Sequence, residues 1–143
     1  MHPLLMKHLR ELSHFYPLDI ARDYSWLIAN KFLLPPGYNA KLIPVLMEIP
    51  EDYPLSPPGV GSSRIYLPKG LRYHGSKIKH YYESINKGKN WCWFCYQEIR
   101  WNPRQDNLIL FLEMVRSHLT NPEIADDESL PLNLIYPILE RRR

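Results

Sequence analysis

Apolar positions in the first half of the chain predict one helix followed by two paired strands. Leucines recur at helical spacing over about Pro3 to Phe15, which predicts an amphipathic helix. Residues 26–34 and 41–49 have the composition of strands, and residues 35–37, Pro-Pro-Gly, are typical of a turn between them. Pro44 lacks a backbone N–H, which predicts an edge or a bulge near the start of the second strand. The apolar face of the helix consists of Leu5, Leu9 and Leu12.

The second half of the chain predicts a short strand, a long irregular segment and a second helix. The strand covers Arg64 to Leu67, and the irregular segment runs to Trp101. Asn102 is predicted to cap the helix, with Pro103 in its first turn, and Asn121-Pro122 to end it. This order of elements predicts an α+β fold, in which helices cover one face of an antiparallel meander. The buried stripe of the second helix is predicted to be Leu108, Phe111, Leu112, Val115 and Leu119.

Length and composition are those of one globular domain. The 143 residues, 45 % of them apolar, can bury a core, so we expect a single domain over residues 1–143. The apolar runs are too short for a transmembrane helix, and the N-terminal residues do not resemble a secretory signal. We therefore expect a cytoplasmic protein that does not enter membranes. In that compartment the two cysteines are expected to be thiols.

Three motifs in a fixed order carry a resemblance to a known family. Residues 50–58 read Pro-Glu-Asp-Tyr-Pro-Leu-Ser-Pro-Pro, Cys92 and Cys95 follow on a later segment, and Trp101-Asn102-Pro103 precedes the second helix. In this the chain resembles ubiquitin-conjugating enzymes. The resemblance implies the conjugating-type fold: an N-terminal helix, a β-meander, an active-site loop and a C-terminal helix. It covers roughly residues 1–121 and leaves residues 122–143 as a divergent C-terminal tail.

The resemblance implies thioester chemistry at a cysteine. A thiolate would accept an acyl group from the C-terminus of a partner protein and then pass it to an amine. The spacing typical of the family favours Cys92, because Trp101 is nine positions after Cys92 and only six after Cys95. Cys95 would then be a second thiol that tunes Cys92 or forms a reversible disulfide with it. Burial as small apolar side chains is the alternative for both.

The chain departs from the family at the group that stabilises the oxyanion. The family's eukaryotic enzymes have His-Pro-Asn before the cysteine, and this chain has no such triplet. His80, Asn86 and Asn90 are the candidates to replace its donor, and we expect a catalytic role for His80 or Asn90. The interval between Pro58 and Cys92 is also longer than in the common form of the family.

These departures make the chain similar to bacterial ubiquitin-conjugating-like proteins, some of which belong to CBASS antiphage operons. That resemblance implies a protein partner with a flexible C-terminus, either a cGAS-like nucleotidyltransferase or a ubiquitin-like protein. No cofactor and no metal site are expected, since two cysteines and scattered histidines do not form a four-ligand zinc motif. Two other functions stay open: an inactive conjugating-like module that only binds a partner, and a thiol redox protein.

A basic segment precedes the cysteines and allows three interpretations. Its charges could simply be solvated, or they could stabilise a thiolate and attract an acidic C-terminal tail. They could also contact nucleic acid phosphates, although a net charge of +3 does not favour a nucleic-acid partner. The basic residues are Lys69, Arg72, Lys77, Lys79, Lys87 and Lys89.

Overall fold

The described part of the protein, seen in a computed structural model, consists of two helices and one six-stranded sheet. The structure describes residues 2–83, 87–95 and 99–125. All strand pairs are antiparallel, and the sheet has the order β1-β2-β3-β4-β6-β5. This architecture confirms the predicted α+β fold. The elements are α1 Pro3–Leu12, β1 Leu18–Ile20, β2 Trp26–Leu33, β3 Leu42–Glu48, β4 Ile65–Pro68, β5 Tyr81–Glu83, β6 Trp91–Phe94 and α2 Leu108–Thr120.

Helix α1 begins as predicted and ends three residues earlier than predicted. Pro3 occupies its first turn, and the His2 side chain accepts a hydrogen bond from the Leu4 N–H at 3.0 Å. Ser13 ends the helix, because its hydroxyl donates to the Arg10 carbonyl at 2.6 Å and competes with the helical ladder. The chain beyond Ser13 therefore turns toward β1.

The pairing of β2 with β3 contains the irregularity that Pro44 predicts. The register shifts between Ala29 and Phe32, opposite Pro44, and Lys31 within the shift has a φ of 62°. An extra residue on β2 can be accommodated there because proline offers no N–H to the ladder. The prediction of a bulge is confirmed.

The prediction of an irregular segment between Leu67 and Trp101 is wrong. Strands β5 and β6 lie within it and extend the sheet beyond β4. Strand β6 reads Trp-Cys-Trp-Phe and alternates between half-buried and buried positions, a pattern of strand-forming residues that sequence analysis missed. Strand β1 also escaped prediction, because three residues are too few to show a period. The predicted roles of residues 126–143 and of Asn86 fall outside the described part of the chain.

Helix α2 starts later than predicted because a different asparagine caps it. The Asn107 side chain accepts the Leu110 N–H at 2.9 Å. Asn102 instead closes the preceding turn: its side chain accepts the Arg104 N–H at 3.0 Å, and the Asp106 carboxylate accepts the Asn102 N–H at 2.7 Å. The predicted apolar stripe is confirmed, since Leu108, Phe111, Leu112, Val115 and Leu119 are all buried.

The proline-rich loop that follows β3 is held between α1 and the turn before α2. The Trp101 indole N–H donates to the Pro54 carbonyl at 2.7 Å, and the Trp101 ring lies 5.9 Å from the Tyr53 ring. Tyr53 is buried, and its hydroxyl shares a 2.7 Å hydrogen bond with Nδ1 of His8 on α1. Residues distant in sequence are thereby fixed around one loop.

We expect Trp101→Phe to destabilise the fold by about 1–2 kcal/mol, because it keeps most of the ring but leaves the Pro54 carbonyl without its donor. Urea unfolding of wild type and variant at equal protein concentration measures the difference. Trp26→Phe is the matched control, since Trp26 is half-buried on a strand and the same ring change there removes no described hydrogen bond. Equal losses at the two positions would show that ring size, not the hydrogen bond, matters.

We expect stability to fall as the pH is lowered below about 6.5, the ordinary pKa of histidine. Burial lowers the pKa of His8 in the folded protein, so the unfolded chain binds a proton more readily and acid favours unfolding. The loss of stability begins at the pKa that His8 has in the unfolded chain and is complete below the pKa that it has in the folded protein. His8→Gln, which cannot titrate, should flatten this part of the curve of unfolding free energy against pH, whereas His14→Gln at an exposed position should not. An unchanged slope in His8→Gln would assign the acid loss to other groups.

Candidate active site

Cys92 lies inside the sheet rather than on a loop. It is the second residue of β6, paired with Leu67 on β4 and with Glu83 on β5. Its side chain belongs to the apolar core, and only 3 % of the residue is exposed. The structure therefore places Cys92 where a bulky acyl group could not be attached without displacing neighbouring side chains.

The Cys92 thiol adjoins a polar contact and a small cavity. The Tyr81 hydroxyl next to it donates to the Pro68 carbonyl and accepts the Leu71 N–H at 3.0 Å. Burial raises the pKa of Tyr81, and the neighbouring Cys92 raises it further, so the phenol stays protonated. The cavity has a volume of about 140 Å³. Its polar lining comes from Lys69, Arg72, Lys77, Tyr81 and Glu83.

Cys95 lies at the open end of the same hairpin. It follows the last residue of β6 and is half-buried. Its N–H donates to the His80 carbonyl at 2.7 Å, which continues the ladder between β6 and β5 by one pair. Of the predicted site residues, Cys95 and His80 are thus brought together at one end of the hairpin.

His80 is held in an unusual conformation between two segments. Its φ is 61°, in the left-handed region that non-glycine residues seldom occupy. Its Nε2 atom lies 3.6 Å from a carboxylate oxygen of Glu123. Backbone pairing fixes Glu123 there, because the Lys79 N–H donates to the Glu123 carbonyl at 2.9 Å. His80 therefore links the other two residues: its backbone carbonyl accepts the Cys95 N–H, and its side chain approaches Glu123.

Asn90 lies at the other end of β6. It is exposed, directly precedes the strand, and its carbonyl accepts the Lys69 N–H at 3.0 Å. It is two residues from Cys92, but the length of β6 separates it from Cys95 and His80. The two predicted oxyanion donors, His80 and Asn90, are consequently not parts of one constellation.

The backbone keeps the two sulfurs apart. An extended strand rises about 3.3 Å per residue, so the Cα atoms of Cys92 and Cys95 are about 10 Å apart. A disulfide requires Cα atoms closer than about 7 Å. Neither cysteine is in a disulfide. The expected reversible disulfide would require β6 to separate from its neighbours.

The basic residues predicted from the sequence lie in two different places in the fold. Three of its residues, Lys69, Arg72 and Lys77, line the cavity at Cys92. Lys69 also approaches the Glu83 carboxylate at 3.5 Å. Lys87 does not line this cavity, and its ammonium lies 3.1 Å from the Glu48 carboxylate. Part of the positive charge is therefore near the Cys92 thiol.

Two residues of this region were not predicted as site residues. Glu123 follows the second helix and has no sequence signal that links it to His80, since only backbone pairing brings it there. The sequence gives only a weak indication for Tyr81, because an aromatic residue in a basic segment can lie in the core, in a strand or on the surface. Across the described residues, no three histidine, cysteine or acidic side chains cluster as metal ligands would. Neither described helix is long and apolar enough to cross a bilayer.

Comparison with known proteins identifies the family. A family model described as prokaryotic E2 family E matches residues 6–122, which include the proline-rich loop, both cysteines and the Trp101 turn. No curated protein and no solved structure gives a significant match. The match covers most of the 143 residues and agrees with the two helices and the antiparallel sheet. The chain therefore belongs to prokaryotic E2 family E, a bacterial family of ubiquitin-conjugating-like proteins.

Proposed function

We propose that the protein is a ubiquitin-conjugating-like acyl carrier in which Cys95 forms a thioester with the C-terminus of a partner protein. The observation that supports this most is the position of Cys95, which is half-buried at the open end of the hairpin and adjoins His80. A thioester of cysteine remains reactive toward amines, which is what a carrier between two acyl transfers requires.

The choice between the two cysteines rests on exposure. Spacing to Trp101 favours Cys92, whereas burial favours Cys95, because Cys92 is 3 % exposed and has a strand on either side. An acyl chain on Cys92 would have to leave through a cavity of about 140 Å³. Cys95 lies one residue past the end of β6, so an acyl chain there would not have to pass through this cavity.

The proposed reaction has two steps. In the first, the Cys95 thiolate attacks the carbonyl carbon of a donor's activated C-terminus, either a thioester or an acyl phosphate anhydride. The new C–S bond forms, the donor's thiolate or phosphate leaves, and the thiol proton passes to His80. In the second, an acceptor amine attacks the same carbon, the C–N bond forms, the C–S bond breaks, and the departing Cys95 thiolate takes up the proton that the amine loses.

His80 and Glu123 have different parts in this proposal. His80 receives the thiol proton and, once protonated, can donate to the oxyanion that the missing His-Pro-Asn asparagine would otherwise stabilise. Glu123 orients the imidazole through its contact with Nε2 at 3.6 Å. It is a positioning residue, and because this ion pair is solvent-exposed its contribution is small.

The proposed partner is a bacterial protein with a flexible C-terminus. A cGAS-like nucleotidyltransferase of an antiphage operon, which acylation would prime, fits the resemblance to stand-alone conjugating-like proteins, and a ubiquitin-like protein is the alternative. The basic residues beside Cys92 and β5 would favour an acidic tail of either kind.

The absence of His-Pro-Asn favours a second candidate function. A conjugating-like domain that lacks its oxyanion donor could bind a partner without transferring anything. Such a module would keep the fold and the proline-rich loop and would need neither thiol.

We expect intact mass spectrometry of the protein, co-expressed with the products of its neighbouring genes, to show a reductant-labile adduct of partner mass. Cys95→Ala should abolish the adduct and Cys92→Ala should retain it. Cys95→Ser should yield an adduct that resists reductant, because an oxygen ester replaces the thioester. Loss in Cys92→Ala alone would make Cys92 the nucleophile, and no adduct in any sample would favour the binding module.

We expect His80→Ala to slow acylation of Cys95 by about 100-fold, the usual contribution of a general base, and Glu123→Gln to slow it less than about fivefold. A short peptide thioester of mercaptoethanesulfonate serves as donor, so the partner need not be known. Product formation is followed by intact mass, with His14→Ala as an exposed control. A larger decrease in the acylation rate for Glu123→Gln than for His80→Ala would contradict these roles.

A further inference from the structure

Among the described residues, the edge strand β5 has one hydrogen-bonding side that pairs with no other strand, and its other side pairs with the strand that leads to the proposed nucleophile. Strand β5 is the last in the sheet order, so only one of the two sides of β5 pairs with another strand, which is β6. The other edge strand, β1, lies at the far end of the sheet and is separated from β6 by three strands. Of the two edges, β5 alone adjoins the strand that carries the cysteines.

The pairing register identifies which groups on this edge point outward. Because the Cys95 N–H donates to the His80 carbonyl, His80 directs its backbone toward β6, and so does Tyr82 two residues later. Tyr81 and Glu83 alternate with them and direct their N–H and C=O groups away from β6. In the described parts of the chain, no backbone group hydrogen-bonds to these four groups.

We propose that β5 binds the extended C-terminal tail of the acyl donor as an added antiparallel strand, a recognition mode that rests on the proposed thioester function. Main-chain groups of the tail would pair with Tyr81 and Glu83. Direction supports this arrangement: β5 runs from Tyr81 to Glu83, so an antiparallel tail runs toward His80 and ends where Glu123 pairs with Lys79. There His80 alone separates the tail's C-terminus from Cys95. A parallel tail would end at the opposite side of the hairpin, near Asn90.

Charge near the edge specifies the kind of tail. Lys69, Arg72 and Lys77 line the cavity beside β5, and Lys79 is exposed just before the strand. Within the part of the chain that the structure describes, the acidic side chains there are fewer, namely Glu83 and Glu123. An extended segment with acidic side chains and few prolines is therefore the tail that this edge would bind.

Titration of isotope-labelled protein with a ten-residue peptide tests docking without any transfer step. The probe has an alternating Thr and Val sequence, two aspartates and a free C-terminal carboxylate. Amide shifts should change at Tyr81 and Glu83, and a nitroxide at the peptide's N-terminus should broaden signals of Lys69 and Trp91 but not of Cys95. Broadening at Cys95 instead, or no change along β5, would overturn the proposal.

Two variants of one residue separate backbone pairing from side-chain effects. Glu83→Pro removes an outward N–H without touching the ladder to β6, because Glu83 and Cys92 are a pair that exchanges no hydrogen bonds. Glu83→Gln keeps that N–H and reports the side-chain contribution alone. We expect the dissociation constant of the peptide to be at least about tenfold larger for Glu83→Pro than for Glu83→Gln. Equal values would overturn the proposal, and the melting temperatures of both variants check that the fold is kept.

The two proposals can fail separately. Peptide binding along β5 with no adduct on Cys95 would retain tail docking and reject acyl transfer. A partner adduct that forms equally fast in Glu83→Pro and Glu83→Gln would retain transfer and reject docking. Sedimentation without peptide adds one outcome: concentration-dependent dimers that Glu83→Pro abolishes would assign the edge to a second copy of this chain and overturn tail docking.

Discussion

The hydrogen bond from the Trp101 indole to the Pro54 carbonyl is the contact on which the geometry of the site depends. It ties the loop after β3 to the turn before α2, and Tyr53 beneath it reaches His8 on α1. The chain between these two anchors must leave the sheet and return to a fixed point. The segment between Pro54 and Trp101 can therefore vary in length while its two ends stay at the same side of the domain.

The long interval before the cysteines is used to enlarge the sheet. Strands β5 and β6 extend it beyond β4, which moves Cys92 from the loop expected for the family into a paired strand. The same extension carries Cys95 to the end of the hairpin and creates a new edge at β5. This hairpin thus determines both which thiol is exposed and which backbone groups form the edge of the sheet.

Much of the fold could be predicted from the sequence, and much of the site could not. Helical spacing gave α1 and the stripe of α2, and Pro44 indicated the bulge, because each is a local consequence of side-chain period or a missing N–H. Asn107 replaced Asn102 as the cap because a turn closed by Asp106 had already used Asn102. The burial of Cys92 and the approach of Glu123 to His80 depend on strand pairing across the chain, which no local pattern encodes.

Strand position gives the two thiols different chemical capacities. A side chain in the middle of a paired strand is fixed by neighbours on both sides, so Cys92 can contribute packing and a contact to Tyr81 but cannot change its surroundings without breaking ladder bonds. Cys95 lies one residue past the end of β6, where the His80 carbonyl still accepts its N–H and the residue is only half-buried. The proposed carrier function requires a thiol that is both held in place and accessible to donor and acceptor. Of the two cysteines, Cys95 has the position that meets this requirement.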